Sequence, residues 1–106
     1  MASSSRIEIF KQMLVSDPVN SSVLFGLAKE YEKAGLDADL IATLERYLAI
    51  SEDEGNAYGM LAAAYNRSGD AERARSTLQK GIDTAQAHGH PGMAEEFRMT
   101  LASYEE

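Results

Sequence analysis

Apolar residues recur at three- and four-residue spacing almost from one end of the chain to the other, the period of a helix with one buried stripe. Ile7, Phe10, Met13 and Leu14 form the first run, with Ser5 and Glu8 spaced as a capping box, and Asp17-Pro18 ends it. Asn20 or Ser21 caps a second run, Leu24, Leu27, Ala28 and Tyr31, which Gly35 stops by supplying a residue that tolerates positive φ. A third opens near Asp37 with Leu40, Ile41, Leu44, Tyr47 and Leu48, then fades into the acidic turn Ser51–Glu54. Tyr58, Leu61, Ala62 and Tyr65 make the fourth, which closes before Gly69. Ala74, Leu78 and Ile82 make the fifth, capped by Asp70 and reaching as far as His88. The sixth carries Met93, Phe97, Leu101 and Tyr104, with Pro91 at a favourable first-turn position. No stretch alternates with strand period, so the pattern predicts an all-α chain of about six antiparallel helices.

A second regularity lies above the helical one. Laid over residues 55–88, residues 21–54 show six identities at a shift of 34: Leu27/Leu61, Ala28/Ala62, Tyr31/Tyr65, Gly35/Gly69, Thr43/Thr77 and Leu44/Leu78. Average composition gives about two over such a window. Five of the six are stripe residues or the stop glycine, which ties the repetition to packing.

These residues resemble the tetratricopeptide repeat family, whose first helix reads large-x-x-Leu-small-x-x-Tyr and whose second reads small-x-x-x-large. Leu24-x-x-Leu27-Ala28-x-x-Tyr31, Tyr58-x-x-Leu61-Ala62-x-x-Tyr65 and Ala74-x-x-x-Leu78 match. The resemblance implies a helical-hairpin repeat fold in which each hairpin shares its apolar stripe with a neighbour. It divides a single domain, 1–106, into a half-repeat helix at 4–17, repeats at 21–54 and 55–88, and a capping helix at 91–106. The chain also departs from the family pattern. Leu40 and Tyr47 stand where a small residue is usual, and Glu52 and Gln86 replace the separating proline. Counted backward, Pro18, Phe10 and Met13 fit the second half of a repeat. Counted forward, Phe97 and Tyr104 fit only after an insertion around Ala85 to Gly89, and Thr100-Leu101 replaces Leu-small.

Composition narrows the functional classes. Ten Lys and Arg against seventeen Asp and Glu give a net charge of -7, the wrong sign for holding phosphate backbones or anionic lipid, so neither nucleic acid nor membrane is expected as a partner. The 106 residues contain no cysteine, which removes disulfides, thiolate metal sites and cysteine nucleophiles. Glu8, Lys11 and Gln12 interrupt the amino-terminal apolar run that a signal sequence needs, and a cytoplasmic location is expected.

Catalytic chemistry is not visible in the sequence. His88-Gly89-His90 lacks acidic or sulfur ligands at closing distance and reads as a solvated helix end. Glu95 and Glu96 face different directions on a helix, Glu52 to Glu54 read as an exposed turn, and no phosphate loop or nucleophile motif occurs. The expectation is a chain that is not an enzyme and has no cofactor or metal.

The family resemblance implies instead a protein or peptide partner, held in a short concave groove lined by the first helices of successive hairpins. On this sequence that face comprises Ser22, Phe25, Lys29, Glu32 and Lys33, then Asn56, Gly59, Ala63, Asn66 and Arg67, with Met60 nearby and Arg98 on the last helix. Its cations suit an acidic peptide with an apolar anchor. Phe25 and Ala63 stand where polar clamp residues would be, so chaperone-tail recognition is not expected. The alternative is a structural unit that self-associates, with a homodimer as one form. Helix one lacks its own partner helix and carries Ile9 where the repeats have Thr43 and Thr77, and its arc through Ile7, Ile9 and Phe10 is wider than one contact requires.

Overall fold

The computed structural model describes residues 2–104, with side chains from residue 5 onward, as six helices: α1 (Ala2–Ser16), α2 (Ser21–Ala34), α3 (Asp37–Ile50), α4 (Asn56–Arg67), α5 (Ala71–Ala87) and α6 (Pro91–Tyr104). No strand occurs among the described residues, and the last two positions of the expected capping helix lie outside them. No described helix is long and apolar enough to cross a membrane. The chain divides into two compact units, Met1–Ser51 and Glu52–Glu106.

In unit 1, α1 and α3 each pack on α2. Asn20 is the cap of α2, its side chain accepting from Val23 N at 3.1 Å. Gly35 ends the helix at φ 72°, and Leu36 N donates back to Tyr31 O at 3.0 Å. The buried residues are Leu14 of α1, Val23, Leu24, Leu27, Ala28, Glu30 and Tyr31 of α2, and Leu40, Thr43 and Leu44 of α3. Leu40 is fully buried at the position where the repeat pattern prefers a small residue. Two readings of α1 need correction. Ser5 lies inside the helix and is not its cap, because a run of three serines offers several equally good starts and sequence spacing does not choose among them. Met13 is exposed, and the inward positions go to Leu14 and, in part, to Ile7 and Phe10. The Phe10 ring lies against Gly26 of α2, where a Cβ would sit 3.2 Å from Phe10 Cζ.

Unit 2 repeats the hairpin geometry. Asp70 caps α5 by accepting from Arg73 N at 3.1 Å, Gly69 turns the chain at φ 85°, and Asp70 N donates to Tyr65 O at 2.9 Å. Leu36 and Asp70 thus make the same backbone bond one repeat apart. Ala57, Leu61, Ala62, Ala64 and Tyr65 of α4 and Ala74, Leu78, Ile82 and Ala85 of α5 are buried. Met93, Phe97 and Leu101 of α6 pack, half-buried, against Ile82, Ala85 and Ala94. The acidic turn expected from the sequence also has a structural role, since Asp53 is half-buried and accepts from Gly55 N (2.8 Å) and Ala57 N (2.9 Å), covering the open donors at the start of α4.

The two units fill two register positions differently. Phe25 and Tyr47 of unit 1 correspond, 34 residues on, to Gly59 and Gly81 of unit 2. The aromatic pair packs ring to ring at 5.2 Å. The glycine pair leaves a slot for the ring of Phe97, which would come within 2.8 Å of a Cβ at Gly59 and 3.0 Å of one at Gly81.

Candidate functional site

The expected surface is best developed on the outward side of α2. Ser22, Lys29 and Lys33 are exposed there and Phe25 is half-buried, as their spacing on one helical stripe requires. Tyr47 of α3 supports Phe25, with ring planes tilted by 44°. Lys29 Nζ stands 5.6 Å from the Phe25 ring centroid, within range of the attraction between a cation and an aromatic face. Ser21, Ser22, Phe25 and Tyr47 line a cavity of about 280 Å³ beside the pair. Apolar wall, hydroxyl groups and an oriented ammonium therefore meet within two turns of one helix.

Lys33 shares the stripe and also pairs with a carboxylate of its own helix. Its ammonium lies 3.4 Å from Oε2 of Glu30, and the Arg6 guanidinium of α1 reaches the same oxygen at 3.4 Å. The Glu30 side chain is only 5% exposed. A carboxylate taken out of water is costly unless charged donors replace the solvent, and the two cations supply them. Lys33 thus helps pair a buried carboxylate while its own side chain stays 62% exposed. Sequence reading missed Glu30 because a glutamate in mid-helix reads as solvent-facing. The available signal was its register partner Ala64, small and buried.

In unit 2, Asn56, Asn66 and Arg67 are exposed on α4 and Met60 is half-buried. The Tyr104 hydroxyl of α6 has its pKa raised by burial, an effect that the charge of Arg67 opposes. Gly59 does not belong to an open face, because Phe97 covers it. Arg98 is paired with Glu95 at 3.4 Å and lines a separate depression with Gln79, Ile82, Leu101 and Ala102, between α5 and α6. Of the expected self-association residues on α1, Ile9 is 57% exposed, whereas Ile7 and Phe10 are half-buried, Phe10 being engaged by Gly26.

The histidines behave as a helix end with one addition. His88 is exposed at the close of α5, and His90 Nε2 lies 2.5 Å from Oε1 of Glu54. No group of three metal-ligating side chains occurs among the described residues. The hydrogen bond to His90, with the charges of His90 and His88 adding to it, holds the Glu54 carboxyl below its ordinary range. A carboxyl whose pKa is lower folded than unfolded contributes stability above its unfolded pKa, and loses it as the pH falls through the folded value. Glu54 is accordingly expected to titrate at lower pH in the wild type than in His90→Ala, followed by carboxyl-carbon chemical shifts. Superimposable curves would show that His90 does not act on it.

No family model matches the sequence, and no curated protein matches it. Solved structures do. Two described as crystal structures of MamA superpose with a TM-score of 0.70 at 24% identity, covering 92% and 93% of this chain. The chain spans only 66% and 62% of their lengths. This likeness, together with the helix order, gives the chain an all-α, tetratricopeptide-like helical repeat fold.

Proposed function

We propose that this chain is a non-enzymatic protein-interaction module whose α2 surface binds a peptide segment carrying an apolar side chain next to acidic residues. The observation that carries the reading is the Phe25–Tyr47 pair with Lys29 held over it, beside a cavity, on a chain whose net charge is -7. An ammonium presented above an aromatic wall attracts a carboxylate while the wall takes the neighbouring apolar group. The surface is small, so affinity is modest, on the order of micromolar, and falls with salt.

Titration with peptides pairing an aromatic or aliphatic residue with glutamates, followed by amide chemical shifts, tests this. Shifts are expected at Ser22, Phe25, Lys29 and Tyr47, with binding weakened about tenfold or more by Lys29→Glu and by Phe25→Ala at unchanged helix content. Shifts confined to α5 and α6, or equal affinity in both variants, would refute the assignment. A second reading, a self-associating assembly unit, is supported by the exposed apolar residues of α1, Ile9, Met13 and Val15.

A further inference from the structure

A groove of about 400 Å³ lies between α1 and α3, over α2. Leu14 and Val15 of α1, Leu27 and Tyr31 of α2, and Ala42 and Thr43 of α3 line it, an apolar wall with two hydroxyls. Lys11 and Arg46 stand at its rim. Among the described residues Asp39 is the one carboxylate that lines it, and Glu8 pairs with Lys11 at 3.7 Å in an exposed pair of little strength. Arg46 gives one donor to Pro18 O at 3.1 Å, and a guanidinium has more to give. Two cations against one carboxylate thus border a largely apolar slot on an otherwise acidic chain. Val15, 79% exposed, leaves its mouth open.

The chain also carries a complementary feature. Met99 of α6 is 66% exposed. Glu95 and Glu96, also exposed, precede it by four and three residues and so flank it one helical turn away. Glu95 pairs with Arg98 at the surface, 3.4 Å apart, an interaction readily exchanged for another. Methionine is unbranched and deformable, suited to filling an irregular slot. The result is an apolar knob with an acidic collar.

We infer that copies of this chain associate head to tail, Met99 of one copy entering the α1–α3 groove of the next while Glu95 and Glu96 face Lys11 and Arg46. The inference rests on the self-association reading and is independent of the α2 peptide surface. Because knob and groove are different surfaces, the contact is heterologous, and every copy can both give and receive. It uses none of the exposed Ile9 face of α1, so the two ways of associating are separable.

Sedimentation velocity over a concentration series, with helix content checked by circular dichroism, provides the test. Wild-type protein is expected to grow past the dimer as concentration rises. Met99→Glu and Lys11→Glu/Ala42→Glu are each expected to weaken association about tenfold or more. Mixed in equal amounts they should form dimers and nothing larger, since the first retains its groove and the second its knob. A monomeric wild type, either variant assembling as the wild type does, or a mixture that stays monomeric would overturn the contact. Association lost in Ile9→Glu but kept in Met99→Glu would overturn it while leaving self-association intact.

Discussion

Truncating Leu44 or Leu78 to alanine is expected to lower stability by about 2–5 kcal/mol in each case. The two are register partners with 0% and 1% of their surface exposed, among the largest fully buried side chains of the chain. The cost has two sources. Removing a buried isobutyl group forfeits about 1.5–3 kcal/mol of transfer free energy, and the space left behind refills only in part because neighbours on a packed helix cannot follow the missing atoms. Denaturant unfolding measures the loss. Val15→Ala is the control: at 79% exposure it should change stability by no more than about 0.5 kcal/mol. Losses below about 1 kcal/mol at both leucines would mean that the repeated stripe is not where the core lies.

Gly81→Ala is expected to destabilise the protein, although alanine is the better helix former. An added methyl in an open helix position stabilises by up to about 1 kcal/mol. At Gly81 it meets Phe97 Cε2 and Tyr58 Cβ at 3.0 Å each, and crowding of that kind costs typically about 1–3 kcal/mol. Crowding therefore wins. Gly92, on α6, has nothing within 4 Å of the same added atom, so Gly92→Ala should show the opposite sign. The double variant Gly81→Ala/Phe97→Leu separates the ring from other causes, since the glycine penalty should shrink once the ring is gone. An undiminished loss when Phe97→Leu is already in place would assign the clash to Tyr58 alone.

Helices and stripes were legible in the sequence because each depends on neighbours within one turn or on a partner at a fixed shift. Leu24, Leu27, Ala28 and Tyr31 are buried as periodicity predicts, Gly35 takes positive φ, and Asn20 and Asp70 accept the expected cap bonds. Contacts between residues far apart in sequence were not legible. Arg6 and Glu30 are 24 positions apart, and nothing local to either states that they meet. Lys33, exposed on the same stripe as Lys29, also pairs with that carboxylate, a contact that the charge pattern of α2 does not disclose. For the candidate surface, sequence placed Phe25 and Lys29 on one stripe, but the ring of Tyr47 that completes it comes from α3. The α1–α3 groove involves helices that do not follow one another, and was invisible for the same reason.

The slot that receives Phe97 also restricts which repeat can stand before α6. A duplicated segment 21–54 put in place of 55–88 would present Phe25 and Tyr47 where α6 needs two glycines, and the ring of Phe97 would have no room. A repeat packed against a helix that carries such a ring therefore has to keep both glycines. In a lineage of such chains, loss of either glycine should travel with loss or shrinkage of the aromatic that fills the slot.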